Sequence, residues 1–365
     1  VEKMKPKLSS TISVVKISDS ILEFFKTCTR EQVYIKVQND QILEIASHLD
    51  GSKTIEELSE LYNIKPSDFE KLMDFLMKKG ILDNADPKED FSEYEKYRRV
   101  IHFLSEHSTS HNNLVEMWDN ITNATVLIVG LGAVGSWVAC NLAESGVKNF
   151  ILMDADVVDI TNLHRQFSYT EDDLGKYKTD VLETRLQAYD KNIKVVKLNC
   201  FIDENSLNQL NEYHIDLMIN CADKPNVDTT SLWIGEYGMK RDIPHIIGGG
   251  YNLHLSLIGQ TIIPGKCACV MCFQKQLEEE NKIDSSKVKK LMVQNRKVGS
   301  FAPMCSMIAS MIGMEAIKVL SKNIIPANIN RRGEFDIYSM DIQYKKYERR
   351  DDCEWCGKTG KYYHM

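Results

Sequence analysis

The chain has 365 residues, 43% of them apolar and 27% charged, enough for about two globular domains with a sizeable core. Its net charge of −7 supplies no basic footprint for DNA or RNA, whose binding displaces counterions with Lys and Arg, so nucleic acid is not an expected partner. No basic-then-apolar leader opens the sequence and no apolar run approaches the roughly 20 residues of a membrane span. A cytoplasmic protein without membrane contact is the expectation.

Residues 1–84 read as a unit of their own. Apolar alternation predicts strands over 12–17 and 33–37. A short helix follows over 42–49, a second over 54–62 opened by the cap Thr54-Ile-Glu-Glu57, and a third over 67–79 closed by Gly80. Elements of these lengths make a winged-helix-like module. As a DNA reader it is poorly equipped, because the presumed recognition helix carries Asp68, Glu70 and Asp74 where phosphates call for Lys and Arg. The module resembles the recognition elements that bind ribosomally made precursor peptides, in which the peptide adds a strand to the exposed sheet edge beside the third helix.

Residues 85–118 read as a linker and a helix. The polar, proline-bearing stretch 84–93 is the linker, and the helix over 94–106 carries Arg98 and Arg99. His102, His107 and His111 have no accompanying ligand motif and read as a polar loop.

The remaining domain, 119–365, alternates strand and helix, which predicts an α/β, doubly wound, mostly parallel sheet with its site at the strands' carboxyl ends. The apolar run 126–129 leads directly into Gly130, Gly132 and Gly135, where a strand turns sharply into a helix whose N-terminus stabilises phosphate. Asp154 ends the next strand, 150–153, in position to accept bonds from ribose hydroxyls. These features leave NAD, FAD and ATP open. Asp156, Asn162 and Gln166 follow, and Arg165 and Lys178 supply two cations, more positive charge than a diphosphate cofactor needs, as a triphosphate would require. Further strands are expected at 195–198, 217–219 and 246–250. Asp223 follows one of them, where a Mg²⁺-binding carboxylate belongs.

Cys269-Val-Met-Cys272 and Cys353-Glu-Trp-Cys356 are two pairs spaced for one tetrahedral zinc; buried free thiols or redox pairs are the alternative. Cys267 reads as a bystander. The charged stretch 275–300 reads as a mobile loop or exposed helix, and the methionine-rich run 301–318 as a core helix.

Taken together, Gly-x-Gly-x-x-Gly, Asp-x-Asp, Asn-Leu-x-Arg-Gln, the following lysine and the cysteine pairs resemble the ubiquitin-activating-type adenylating enzymes over residues 94–357. That family includes the molybdopterin and thiamine sulfur-carrier activators. The resemblance implies ATP and Mg²⁺, with Gly130, Gly132 and Gly135 as cradle and Asp154, Asp156, Asn162 and Gln166 binding nucleotide. Arg165 and Lys178 would act on the triphosphate and Asp223 on the metal, while Cys269, Cys272, Cys353 and Cys356 hold a structural Zn²⁺. It further implies a homodimer in which Arg99, with Arg98 one residue off, reaches the ATP of the other subunit. Two departures bear on the substrate. Asp223-Lys-Pro-Asn-Val-Asp228 lacks the asparagine and arginine of the family's Asp-Asn-x-x-x-Arg, and no cysteine lies between Cys272 and Cys305 to carry a thioester. The Asp-x-Pro form and Gly250-Tyr251 resemble the peptide-modifying branch, enzymes of the microcin C and pantocin type. The expected activity is ATP-dependent adenylation or phosphorylation of a carboxylate or amide in a precursor peptide, leading to dehydrative cyclisation. The alternatives are a sulfur-carrier or ubiquitin-like protein adenylyltransferase, and a winged-helix regulator with a nucleotide effector.

Overall fold

The computed structural model describes residues 4–37, 41–84, 92–109, 111–248, 250–252, 255–281 and 299–363. The chain forms two compact units, Val1–Arg98 and Arg99–Met365.

The first unit runs β1 (Pro6–Leu8), β2 (Ile12–Ser18), β3 (Ile21–Lys26), β4 (Gln32–Lys36), α1 (Gln41–Ser47), α2 (Ile55–Leu61), α3 (Pro66–Lys78) and β5 (Leu82–Asn84). The expected Thr54 cap closes reciprocally, with Glu57 N–H donating to Oγ1 at 3.3 Å and Thr54 N–H to Glu57 Oε2 at 2.7 Å. Helix α3 buries Phe69, Met73 and Leu76, the i, i+4, i+7 stripe, against Leu22, Phe24 and Val33 of the sheet. Gly80, at φ +62°, ends that run. The sequence reading missed three strands. In β3 the consecutive residues Leu22, Glu23 and Phe24 are all buried, which erases the alternation, and β1 and β5 are three residues each, too short to show a period.

Strand order in the main sheet of this unit is β2-β3-β4, antiparallel, so β4 is terminal. Lys26 N–H bonds Glu31 C=O and Val37 N–H bonds Ser20 C=O, both at 2.9 Å. In the register Phe24↔Val33, Leu22↔Ile35, these bonds fix Val33 and Ile35 as the inward-bonding residues. Gln32, Tyr34 and Lys36 therefore turn their backbone groups outward.

After a 3₁₀ turn at Ser92–Tyr97 come α4 (Arg98–Ser105), α5 (His111–Asn123), β6 (Thr125–Val129), α6 (Gly135–Glu144), β7 (Asn149–Met153), α7 (Lys178–Tyr189) and β8 (Lys194–Leu198). Then follow α8 (Glu204–Gln209), β9 (Leu217–Asn220), α9 (Val227–Arg241), β10 (His245–Ile247), β11 (Gly250–Asn252), β12 (Leu255–Ile258) and β13 (Gln260–Ile262). The chain continues with α10 (Val270–Glu280), α11 (Ala302–Ser321), β14 (Arg331–Asp336) and β15 (Asp341–Lys346). The six-stranded sheet is ordered β13-β10-β9-β6-β7-β8, parallel except for the antiparallel edge β13. Central strands covered on both faces read as unbroken apolar runs, as Val126 to Val129 do. A second, antiparallel sheet, β11-β12-β14-β15, was not anticipated, and the strand expected over 246–250 divides between β10 and β11.

Helix α11 corrects a further expectation. It is 20 residues long with a mean hydropathy of 1.4 over its best window, long and apolar enough to cross a membrane. It packs against α5, α6 and β12 with Met314 left exposed, so a largely buried core helix, as expected for the run 301–318, accounts for its apolar residues. The linker residues 85–91 and the charged stretch 282–298 lie outside the described residues, while 275–280 complete α10.

Candidate functional site

Strands β6 and β9 end side by side, and the chain leaves β6 through Gly130 at φ +84°. A Cβ on Gly130 would stand 2.7 Å from the backbone of Cys221 and Ala222, and one on Gly135 only 1.9 Å from the Gly130 carbonyl oxygen. Gly130 thus serves the close approach of the β6–α6 turn to the end of β9, and Gly135 the tight closure of that turn on itself. At Gly132 the nearest atom, Gln166 Nε2, is 3.8 Å from such a Cβ. There the missing side chain leaves cavity rather than relieving a clash.

That cavity, about 500 Å³, is lined by Gly130, Gly132, Asp154, Asp156, Asn162, Arg165, Gln166, Lys178 and Asp223, residues scattered over more than ninety positions. Gly135 sits behind the wall, and Ala133 and Val134 bring the start of α6 to it. Asp154 is 8% exposed; its Oδ2 accepts Leu131 N–H at 2.6 Å and its Oδ1 accepts Asp156 N–H at 2.8 Å. Burial pushes its pKa up, against the opposing pull of Lys178. Asp156 accepts Lys224 Nζ at 2.8 Å on one oxygen and Lys178 Nζ at 3.2 Å on the other. Burial would raise its pKa, but the hydrogen bond from Lys224 and the charge of Lys178 outweigh burial and lower it.

Arg165 donates to Thr161 C=O at 2.9 Å, and Asn162 Oδ1 accepts Asp159 N–H at 3.1 Å, which pins the turn that presents both. Gln166 is 3% exposed, and its Oε1 is buried without a hydrogen-bond partner among the described residues. A buried acceptor left open is costly unless something supplies a donor, and a ligand hydroxyl or amino group in this cavity would.

Sequence reasoning missed Lys224 and Phe201, both on the cavity wall, with the Lys224 ammonium 4.9 Å from the Phe201 ring centre. The signal for Lys224 was the very departure at Asp223-Lys224-Pro225. Cys221 also lines the cavity, but burial pushes its thiol up to about 12 and keeps it protonated. Burial likewise raises Cys305, which is fully enclosed. Beyond Val227 and Gly248, which it shares with the first, a second cavity of about 640 Å³ opens along α10, with Phe273, Leu277 and Arg332 on its walls.

Arg99 is exposed and lies off the cavity of its own chain; Arg98 pairs with Glu95 at 2.9 Å. Five exposed apolar side chains, Val157, Ile160, Phe167, Leu174 and Tyr177, lie along the segment 157–177 that carries Asn162 and Arg165. Phe167 is 72% exposed and stacks on Trp137 at 5.3 Å.

Elsewhere, the two cysteine pairs meet. Cys269 and Cys353 place their sulfurs 3.5 Å apart and Cys272 and Cys356 3.3 Å apart, and all four lie within 4.8 Å of one another, buried. Tetrahedral zinc at about 2.3 Å from each thiolate spaces its sulfurs by just under about 4 Å, so the donor set fits zinc with no open position. Arg350 N–H points at Cys272 Sγ at 3.5 Å, and Arg349 clamps the turn by donating to Cys356 C=O at 2.7 Å and Gly265 C=O at 2.6 Å. Cys267 is separate, its sulfur accepting Ile263 N–H at 3.1 Å. Among the described residues this is the one cluster of His, Cys, Asp or Glu side chains close enough to share an ion.

The family model described as ThiF matches residues 108–355. The molybdopterin-synthase adenylyltransferase of Escherichia coli (strain K12) is 28% identical over 238 residues, 65% of this chain and 89% of that protein. The structure of E. coli MccB with AMPCPP and MccA aligns with a TM-score of 0.76 at 24% identity, covering 97% of this chain and 100% of that one. PaaA aligns with a TM-score of 0.72 at 20% identity, covering 93% and 99%. At these identities the two structures speak for the fold, across both units.

Proposed function

Because this chain belongs to the ThiF family, we propose that it uses ATP and Mg²⁺ to activate a carboxylate or amide of a ribosomally made precursor peptide, leading to dehydrative cyclisation in antibiotic biosynthesis. The observation that carries the nucleotide half is the single cavity uniting a glycine cradle, Asp154, the open acceptor of Gln166 and a cluster of cations. In this reading Asp154 and Asp156 serve the ribose side, Asn162 and Gln166 hold the nucleotide, and Arg165 and Lys178 engage phosphate oxygens. The Asp223 carboxylate, exposed on the wall, suits a hard cation that neutralises phosphate charge. A peptide carboxylate attacks the α-phosphorus and pyrophosphate departs, or attacks the γ-phosphorus and ADP departs; the same cations offset the charge that develops. A nucleophile of the peptide then displaces AMP or phosphate from the activated carbon.

Three observations support the peptide half. The outward backbone groups of Gln32, Tyr34 and Lys36 on terminal strand β4 suit an added peptide strand. The second cavity meets the first at Val227 and Gly248, so a side chain placed there lies beside the nucleotide. MccB, of like fold, has been solved with AMPCPP and MccA together. The exposed apolar side chains from Val157 to Tyr177 support a homodimer, through which Arg99 would complete the partner's site.

The test is to incubate the protein with ATP, Mg²⁺ and the peptide encoded by a short open reading frame beside its gene, and to weigh the products. Loss of water from the peptide with release of AMP or ADP is expected; an unchanged peptide would defeat the reading. The likeness to molybdopterin-synthase adenylyltransferase favours a second reading, activation of a sulfur-carrier or ubiquitin-like protein. Adenylation of such a carrier protein in the same assay would establish it.

A further inference from the structure

Lys224 follows Asp223 at the carboxyl end of the central sheet and has no role in the site described so far. Three carboxylates, Asp154, Asp156 and Asp223, and three cations, Arg165, Lys178 and Lys224, line the cavity, so its side-chain charge is balanced before any nucleotide enters. A triphosphate brings about four negative charges, and a single divalent cation offsets two of them. Arg165 bonds the Thr161 carbonyl and supplies one charge toward the rest, and a lysine now committed to a carboxylate must supply another.

The two lysines differ in their freedom to do so. The Lys178 side chain is 5% exposed and closed in against Asp156, whereas that of Lys224 is 56% exposed and reaches the same carboxylate from the solvent side. Asp156 gives one oxygen to each, at 3.2 Å to Lys178 and 2.8 Å to Lys224. If Lys224 leaves, Asp156 still balances Lys178 and no carboxylate is stranded. The Phe201 ring, 4.9 Å from the ammonium, keeps the lysine stem over the cavity mouth. Its hydrogen bond to Asp156 holds Lys224 above the ordinary lysine value, so the group is charged throughout the neutral range.

We propose that Lys224 is a phosphate-binding residue: it rests on Asp156 in the empty cavity and transfers to an oxygen of the β- or γ-phosphate when a nucleoside triphosphate binds, while Lys178, whose ammonium has three donors, balances Asp156 as it engages the phosphates. The inference deepens the nucleotide reading above and rests on it. It assigns Lys224 to the polyphosphate end and not to the nucleoside.

Calorimetry on the full chain with Mg²⁺ and either ATP or AMP tests it, comparing wild type with Lys224→Gln and Lys224→Arg. A charge-assisted bond of this kind predicts that Lys224→Gln weakens ATP binding about 10- to 100-fold while AMP binding stays within about twofold, and that Lys224→Arg recovers most of the loss. Retained AMP binding also certifies that the variant is folded. ATP affinity unchanged in Lys224→Gln, or ATP and AMP weakened alike, overturns the assignment. A wild-type chain that binds neither nucleotide overturns the underlying reading instead, a result distinct from both.

Discussion

The chain gathers reactive side chains in two places, and they are built on opposite plans. At the sheet's carboxyl ends, acids and cations face an open cavity, each partly satisfied: Asp156 divides itself between two lysines, and Gln166 keeps an unpartnered oxygen. In the cysteine cluster four sulfurs face one another, buried, with the surrounding turn clamped by Arg349. Incomplete pairing in the first leaves interactions for a ligand to complete, whereas complete mutual enclosure in the second leaves none. The open plan suits binding and chemistry, and the closed plan suits stability.

The largest effect that would break this contrast is at the closed place. Cys356→Ala, or zinc removal by a strong chelator, is expected to cost at least several kcal/mol, because structural zinc sites contribute on the order of 10 kcal/mol to folding. Calorimetric melting should show a fall of about 10 °C or more, while ATP affinity measured below the transition persists. Lost nucleotide affinity at full stability would reverse the assignment of roles.

At the open place the expectation is the converse. Asp223→Ala and Arg99→Ala should each lower turnover by roughly 10²-fold or more with little change in melting. If Arg99 acts across a dimer, mixing the two variants gives some heterodimers with one site free of both lesions, restoring up to about a quarter of wild-type activity under random exchange. No recovery despite demonstrated exchange would place Arg99 in its own subunit's site or outside catalysis.

His245 shows that a titratable group can belong to the closed plan without a metal. It is fully buried, its Nδ1–H donates to Ile243 C=O at 2.9 Å, and its Nε2 has no partner among the described residues. Burial lowers its pKa from 6.5 to about 4. Unfolded chains bind a proton below about 6.5 and the folded chain does not until about 4, so stability present above 6.5 is lost as pH falls through that window, by up to about 3 kcal/mol. Urea unfolding at pH 7 and pH 5 should show most of this slope in wild type and less in His245→Gln. An equal slope in both would assign the acid sensitivity elsewhere.

The smallest effect concerns the strand edge. Tyr34→Pro removes one outward N–H from β4 while sparing the inward ladder made by Val33 and Ile35, so the unit should remain folded. Affinity for the precursor peptide should fall roughly tenfold, the equivalent of about one main-chain hydrogen bond. Unchanged affinity would move the peptide away from this edge.

What the sequence by itself determined was local. The glycine turn after 126–129, the Thr54 cap, the α3 stripe and the acid at the end of β7 are written within a few neighbouring residues, because strand length, capping and helical spacing are short-range properties. The tertiary structure decided whatever needs distant partners. It paired Lys224 with Asp156 across 68 positions, turning an apparent gap in a motif into a cation on the cavity wall. It set Gly135 behind the cradle, where contacts with Gly130 and Cys221 reveal its constraint, whereas the core character of α11 was already legible in the run 301–318. It also assembled β11, β12, β14 and β15 from short strands, since a sheet is defined by hydrogen bonds between segments far apart in the chain, and no periodicity within three to six residues records the partner.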